Sequence, residues 1–140
     1  MRKEKLIIVR LLIVAIIFTC ISGTVYAETG TSFSLVQGTE TVTDGQKIEI
    51  VLNGNNLKSL YAYEAVISFD PAIADYDTAE SKLEGFFMPP KVDNGKITTA
   101  FTKIGKMAGE QGTIPLCTIA FKTKAQGNAN IKLISVKALD

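Results

Sequence analysis

The 140-residue chain has no histidine and no tryptophan, and only two cysteines and four prolines. Without histidine, a histidine-dependent catalytic triad and a histidine-ligated zinc are excluded. Two cysteines, Cys20 and Cys117, cannot build a thiolate cluster. No glycine-rich phosphate loop precedes a helix. Internal repeats, heptads and low-complexity tracts are also missing. The formal charge of +1 gives no electrostatic reason to expect nucleic acid or an anionic membrane as partner.

The first residues read as a leader. Arg2, Lys3, Lys5 and Arg10 form a basic head, an apolar run covers residues 11–21, and Val25 and Ala27 suit signal-peptidase cleavage after Ala27. A signal peptide over 1–27 and a single domain over 28–140 are therefore expected, with secretion and no stable membrane association after cleavage. A membrane anchor is the alternative, but a span wants about 20 uninterrupted apolar residues and Arg10 shortens this run. Lipid attachment at Cys20 is a third reading, opposed by the bulk of Thr19 before it. Cleavage leaves Cys117 alone in the apolar run 114–121, where a cysteine ordinarily acts as a small buried hydrophobe.

Residues 60–71 form the clearest element. With period two, Tyr63, Ala65, Ile67 and Phe69 fall on one side, and Ala62, Glu64, Val66 and Ser68 on the other. Asp70-Pro71 ends the strand, because proline lacks an N–H and fixes φ. Further strands are predicted over residues 33–36, 46–52, 96–102, 113–124 and 131–139, with a short one over 73–76. Residues 38–45, 53–56, 77–84 and 105–112 read as polar turns or loops. Asp93-Asn94-Gly95 signals a hairpin. Residues 85–90, broken by Pro89 and Pro90, suit an edge or an irregular crossing rather than an inner strand. Seven or eight strands, frequent polar turns and no convincing helix imply an all-β, antiparallel β-sandwich.

Paired carboxylates remain the only route to catalysis. Asp70, Asp75 and Asp77, with Glu80 and Glu84, cluster in sequence but lack the spacing of a calcium loop; solvated loop charges are the expectation, and no enzyme activity and no cofactor are predicted. Sugar stacking needs exposed aromatic rings. Phe86, Phe87 and Phe101 are the candidates for exposure; the other rings fall on apolar strand sides.

Three segments together resemble a known family. The order Leu57-x-x-Leu60-x-Ala62-Tyr63-x-x-x-Ile67-x-Phe69-Asp70-Pro71, then Val92-Asp93-Asn94-Gly95-Lys96-Ile97, then Gly109-x-x-Gly112-Thr113-Ile114-x-x-x-x-Ile119-x-Phe121-Lys122 resembles the cohesin domain of cellulosome scaffoldins. The closing Ile131-x-Leu133-x-x-Val136-Lys137 fits the same pattern. The resemblance implies a jelly-roll sandwich that is secreted, non-catalytic and binds the dockerin module of a polysaccharide-degrading enzyme. It places the partner contact on Ala62, Glu64, Val66 and Ser68, joined on a second strand by Thr99, Phe101 and Lys103. It implies no metal here, since the calcium of such complexes belongs to the dockerin.

One departure accompanies the resemblance. Family domains continue into a final strand beside the first, whereas this sequence stops at Asp140, so residues 33–36 are expected to have an unpaired edge. Two other readings stay open: a carbohydrate-binding module that takes polysaccharide directly, and a structural or adhesion domain of a surface protein.

Overall fold

The structure, a computed structural model, describes residues 30–38 and 41–140. The predicted signal peptide lies outside the described residues, as does Cys20.

Among the described residues, ten strands follow one another with no helix between them: β1 (Ser32–Gln37), β2 (Thr41–Val42), β3 (Lys47–Leu60), β4 (Ala62–Ser68), β5 (Ala74–Glu80), β6 (Phe86–Asp93), β7 (Lys96–Thr102), β8 (Glu110–Thr123), β9 (Gly127–Asn128) and β10 (Lys132–Leu139). One four-stranded sheet has the order β1-β3-β8-β5 and the other β10-β4-β7-β6, with β2-β9 as a small ribbon. Every pairing is antiparallel. The all-β sandwich expected from the strand pattern is the observed architecture.

Alternation along the strands builds the core. Ile48, Ile50 and Leu52 of β3 meet Ile119 and Phe121 of β8 on one inner face, and Tyr63, Ala65 and Ile67 of β4 meet Ile97 and Phe101 of β7 on the other. The rings of Phe69 and Phe121 pack at 5.2 Å between centroids, and those of Tyr63 and Phe101 at 5.9 Å. Fully burying side chains of this size is worth about 1.5–3 kcal/mol each, which makes this inter-sheet layer the main source of stability.

The structure changes three local expectations. Residues 53–56 do not turn the chain. β3 runs through them, still paired with β1 (Phe33 opposite Gly54), and register irregularities after Leu52 and Gly54 accommodate the positive φ of Asn56. The segment expected as a polar connection is strand as far as Glu80, because β8 offers it an edge. Within the expected turn at 38–45, β2 brings Val42 into the core at 1% exposure. By contrast, the Asn94-Gly95 hairpin forms as predicted, with φ of 43° and 73°, and of the edge or irregular crossing that its prolines allowed, β6 takes the edge.

Candidate docking face

The outer face of the β10-β4-β7-β6 sheet is a grid whose rows are set by cross-strand register. The first row reads Leu139, Ala62, Thr102, Phe86 and the second Lys137, Glu64, Ala100, Met88. Next come Ser135, Val66, Thr98, Lys91, and last Lys132, Ser68, Lys96, Asp93. Strand alternation puts all of these on the side opposite the core.

The two ends of the grid differ. Phe86, Met88 and Leu139 are 50%, 53% and 62% exposed, and the small Ala62 and Ala100 between them leave the centre low. A shallow depression of about 120 Å³ lies against Phe86, Met88, Ala100 and Thr102. A second of about 260 Å³ lies against Ala62, Glu64, Lys137 and Leu139. The far end carries Lys132, Lys96 and Lys91 around Asp93. Lys137 Nζ stands 3.5 Å from Glu64 Oε1, with both side chains well exposed; such a pair contributes at most about 1 kcal/mol. Glu64 is therefore available to exchange this partner for another.

Four of the predicted contact residues, Ala62, Glu64, Val66 and Ser68, are on this face. The other three are not. Thr99, Phe101 and Lys103 point inward, at 1%, 2% and 6% exposure, and the outward residues of β7 are Thr98, Ala100 and Thr102. The reason is the phase of β7, whose threonines fall on both sides and blur the alternation. Pairing with β4 decides it, because Ile97, Thr99 and Phe101 stand opposite Ile67, Ala65 and Tyr63 and share their inner face. Ile97 and Phe101, an even number of residues apart, were the usable sequence signal. Lys103 misled the phase. Its ammonium is buried against Glu110 Oε1 at 2.7 Å, tying the end of β7 to the start of β8.

Sequence reasoning also missed β6 and β10 as the flanks of this face. Of the three aromatics proposed for exposure, Phe86 alone is exposed; Phe87 packs on the core and Phe101 is buried. The rings thus form no aromatic strip. Of the acidic residues, Asp70 caps its own turn by accepting the Ala72 N–H at 2.8 Å, and Asp75 pairs with Lys124 at 2.8 Å. Among the described residues, no three His, Cys, Asp or Glu side chains come together in a way that could hold a metal.

No protein-family model matches the chain, and no curated protein matches it significantly. Solved structures do. The sixth cohesin of scaffoldin B from Acetivibrio cellulolyticus, solved with a Cel5 dockerin, superposes with a TM-score of 0.66 at 12% identity, covering 80% of this chain and 87% of that one. A type I cohesin from Pseudobacteroides cellulosolvens gives 0.60 at 17% identity over 75% of both chains. A non-cellulosomal cohesin from the archaeon Archaeoglobus fulgidus gives 0.60 at 13% over 78% of both. At these identities the likeness is one of architecture: this chain has the cohesin fold.

Proposed function

We propose that the domain is a non-catalytic protein-recognition module that receives a dockerin on the outer face of β10-β4-β7-β6. The observation that carries this reading is the grid itself. Exposed Phe86, Met88 and Leu139 on the edge strands flank the low Ala62 and Ala100 at one end of the face, with Glu64 between them and Ser68 and lysines toward the other end, a mixed apolar and polar surface that suits a helical partner. Support comes from the solved cohesins of the same fold, one in complex with a Cel5 dockerin and another in a cohesin–X-dockerin complex. Because a non-cellulosomal cohesin shares the fold as well, delivery of polysaccharide-degrading enzymes is the narrower form of the proposal. Secretion, resting on the leader over 1–27, belongs to it too. Among the described residues, direct polysaccharide binding would have Phe86 as its one exposed ring.

The test is a pull-down of a dockerin panel in calcium by the folded domain. Ala100→Arg fills the centre of the face and should lower affinity at least about 100-fold, an effect typical of a blocked interface centre. Glu64→Lys should weaken binding about tenfold by placing two cations side by side. A folded domain that retains no dockerin at all overturns the proposal.

A further inference from the structure

Charge is distributed unevenly along the docking face. Its first two rows, from Leu139 to Phe86 and from Lys137 to Met88, carry one lysine and one glutamate, which pair with each other. The last two rows, from Ser135 to Lys91 and from Lys132 to Asp93, carry Lys91, Lys96 and Lys132 against a single acid. All three lysines are exposed, and among the described residues no carboxylate comes within ion-pair distance of any of them. Asp93 stands opposite Lys96 without closing a pair. Asp70, just past the end of β4, is engaged with the Ala72 N–H. On and beside the other sheet, by contrast, Lys47 meets Glu49 at 3.0 Å and Lys124 meets Asp75 at 2.8 Å. The far end of the docking face therefore keeps an uncompensated positive charge, while exposed Phe86 and Met88 make its near end apolar.

We propose that the partner helix carries the complementary gradient: apolar side chains over Phe86, Met88 and Ala100, and a cluster of Asp or Glu over Lys91, Lys96 and Lys132. The inference rests on the docking reading above and adds to it the partner's chemistry and direction. Successive rows lie two residues apart along the strands, so the first and last are separated by about 20 Å. That distance corresponds to about 13 residues of α-helix, or between three and four turns. Such a helix is received in one direction only. Reversed, it drives its carboxylates out of water against Phe86 and Met88 with no cation to offset the loss, and it sets apolar side chains over the lysines. In the favoured direction the carboxylates meet three ammonium groups that have no other partner, and the same charges steer the encounter.

Binding kinetics of the dockerins retained in calcium, measured at about 0.1 M and about 1 M salt, test this, because the screening length falls from about 10 Å to about 3 Å over that range. The affinity of a retained dockerin should fall at least about tenfold, largely through its association rate. Lys96→Glu and Lys132→Glu lie on different strands, so the test does not depend on the folding of one hairpin. Each should weaken binding at least about tenfold. Changing the facing carboxylates of the dockerin to lysine should weaken its binding to the parent and restore its binding to both variants, a rescue that misfolding cannot mimic. Lys82→Glu makes the same charge change in the β5–β6 connection, away from this face, and should leave affinity unchanged. Retained dockerins that are indifferent to salt and to both face variants overturn the inference, as does an equal loss with Lys82→Glu. Either outcome leaves the docking reading standing, whereas a folded domain that retains no dockerin overturns both.

Discussion

Tyr63, Thr99 and Cys117 meet where the two sheets face each other, and their chemistry is set by burial. The Tyr63 hydroxyl and the Thr99 hydroxyl are buried without a well-formed hydrogen bond, with the Cys117 sulfur as polar neighbour. Burial raises the Cys117 thiol from its ordinary 9.0 up to about 11, partly offset by the Tyr63 and Thr99 hydroxyls, and it pushes the Tyr63 phenol far above its usual range. Cys117 should therefore ignore a thiol reagent at pH 8 in the native protein and react once urea unfolds it; native labelling at the rate of a free thiol would contradict this. The linkage has a definite sign. A thiol whose folded pKa is raised adds stability that is complete below about pH 9 and is lost as pH rises through about 11, here roughly 2–3 kcal/mol. Urea melts across that window should fall less steeply for Cys117→Ala than for the parent. Thr99→Val removes an unpartnered hydroxyl at nearly constant shape and should stabilise by about 1 kcal/mol.

Among elements, the β6–β7 hairpin shows how a turn residue supports a sheet some distance away. Gly95 has φ of +73°, and a Cβ there would stand 2.7 Å from the Phe69 carbonyl oxygen. That close approach lets the Gly95 carbonyl accept the Phe69 N–H at 2.8 Å, closing the end of β4 onto the hairpin. Gly95→Ala should cost about 1–3 kcal/mol in urea unfolding; a loss under 0.5 kcal/mol would mean that the hairpin adapts freely. The β7–β8 connection depends on the Lys103–Glu110 pair, with Lys103 buried and Glu110 partly exposed. Glu110→Ala leaves a buried ammonium without its carboxylate and should destabilise by about 1–2 kcal/mol, a value reduced from that of a fully buried pair by the solvent reaching Glu110. The same pair explains why the outward phase of β7 was hard to read, since a lysine at the strand end normally marks the solvent side.

For the whole molecule, the pairings that make the sandwich join distant parts of the chain: β3 with β8, β1 with β3, and β10 with β4. Among the described residues, only β6 and β7 are both paired with each other and consecutive in sequence. Loop-closure entropy must be met before these contacts form, so refolding followed by tyrosine fluorescence should take milliseconds to seconds. A sub-millisecond phase carrying the full amplitude would argue for a more local core than the one observed.

Composition and alternation by themselves determined the fold class, the inner side of β4, the Asn94-Gly95 hairpin and the exclusion of the proline-broken β6 from an inner position. Each is a local consequence of side-chain size, φ preference or a missing N–H, and local rules act before any partner strand is chosen. The four outward residues of β4 followed from the same alternation, though only the family resemblance gave them a role. Pairing decided the rest. β7 had two readable phases, and Ile67, Ala65 and Tyr63 of β4 chose the one that buries Thr99 and Phe101. Asn53 to Asn56 carry turn chemistry, yet β1 and β8 hold them in strand. Val42 reads as part of a loop and lies in the core. The docking grid exists only because register sets Leu139, Ala62, Thr102 and Phe86 in one row, and register is a property of neighbouring strands that no single segment contains.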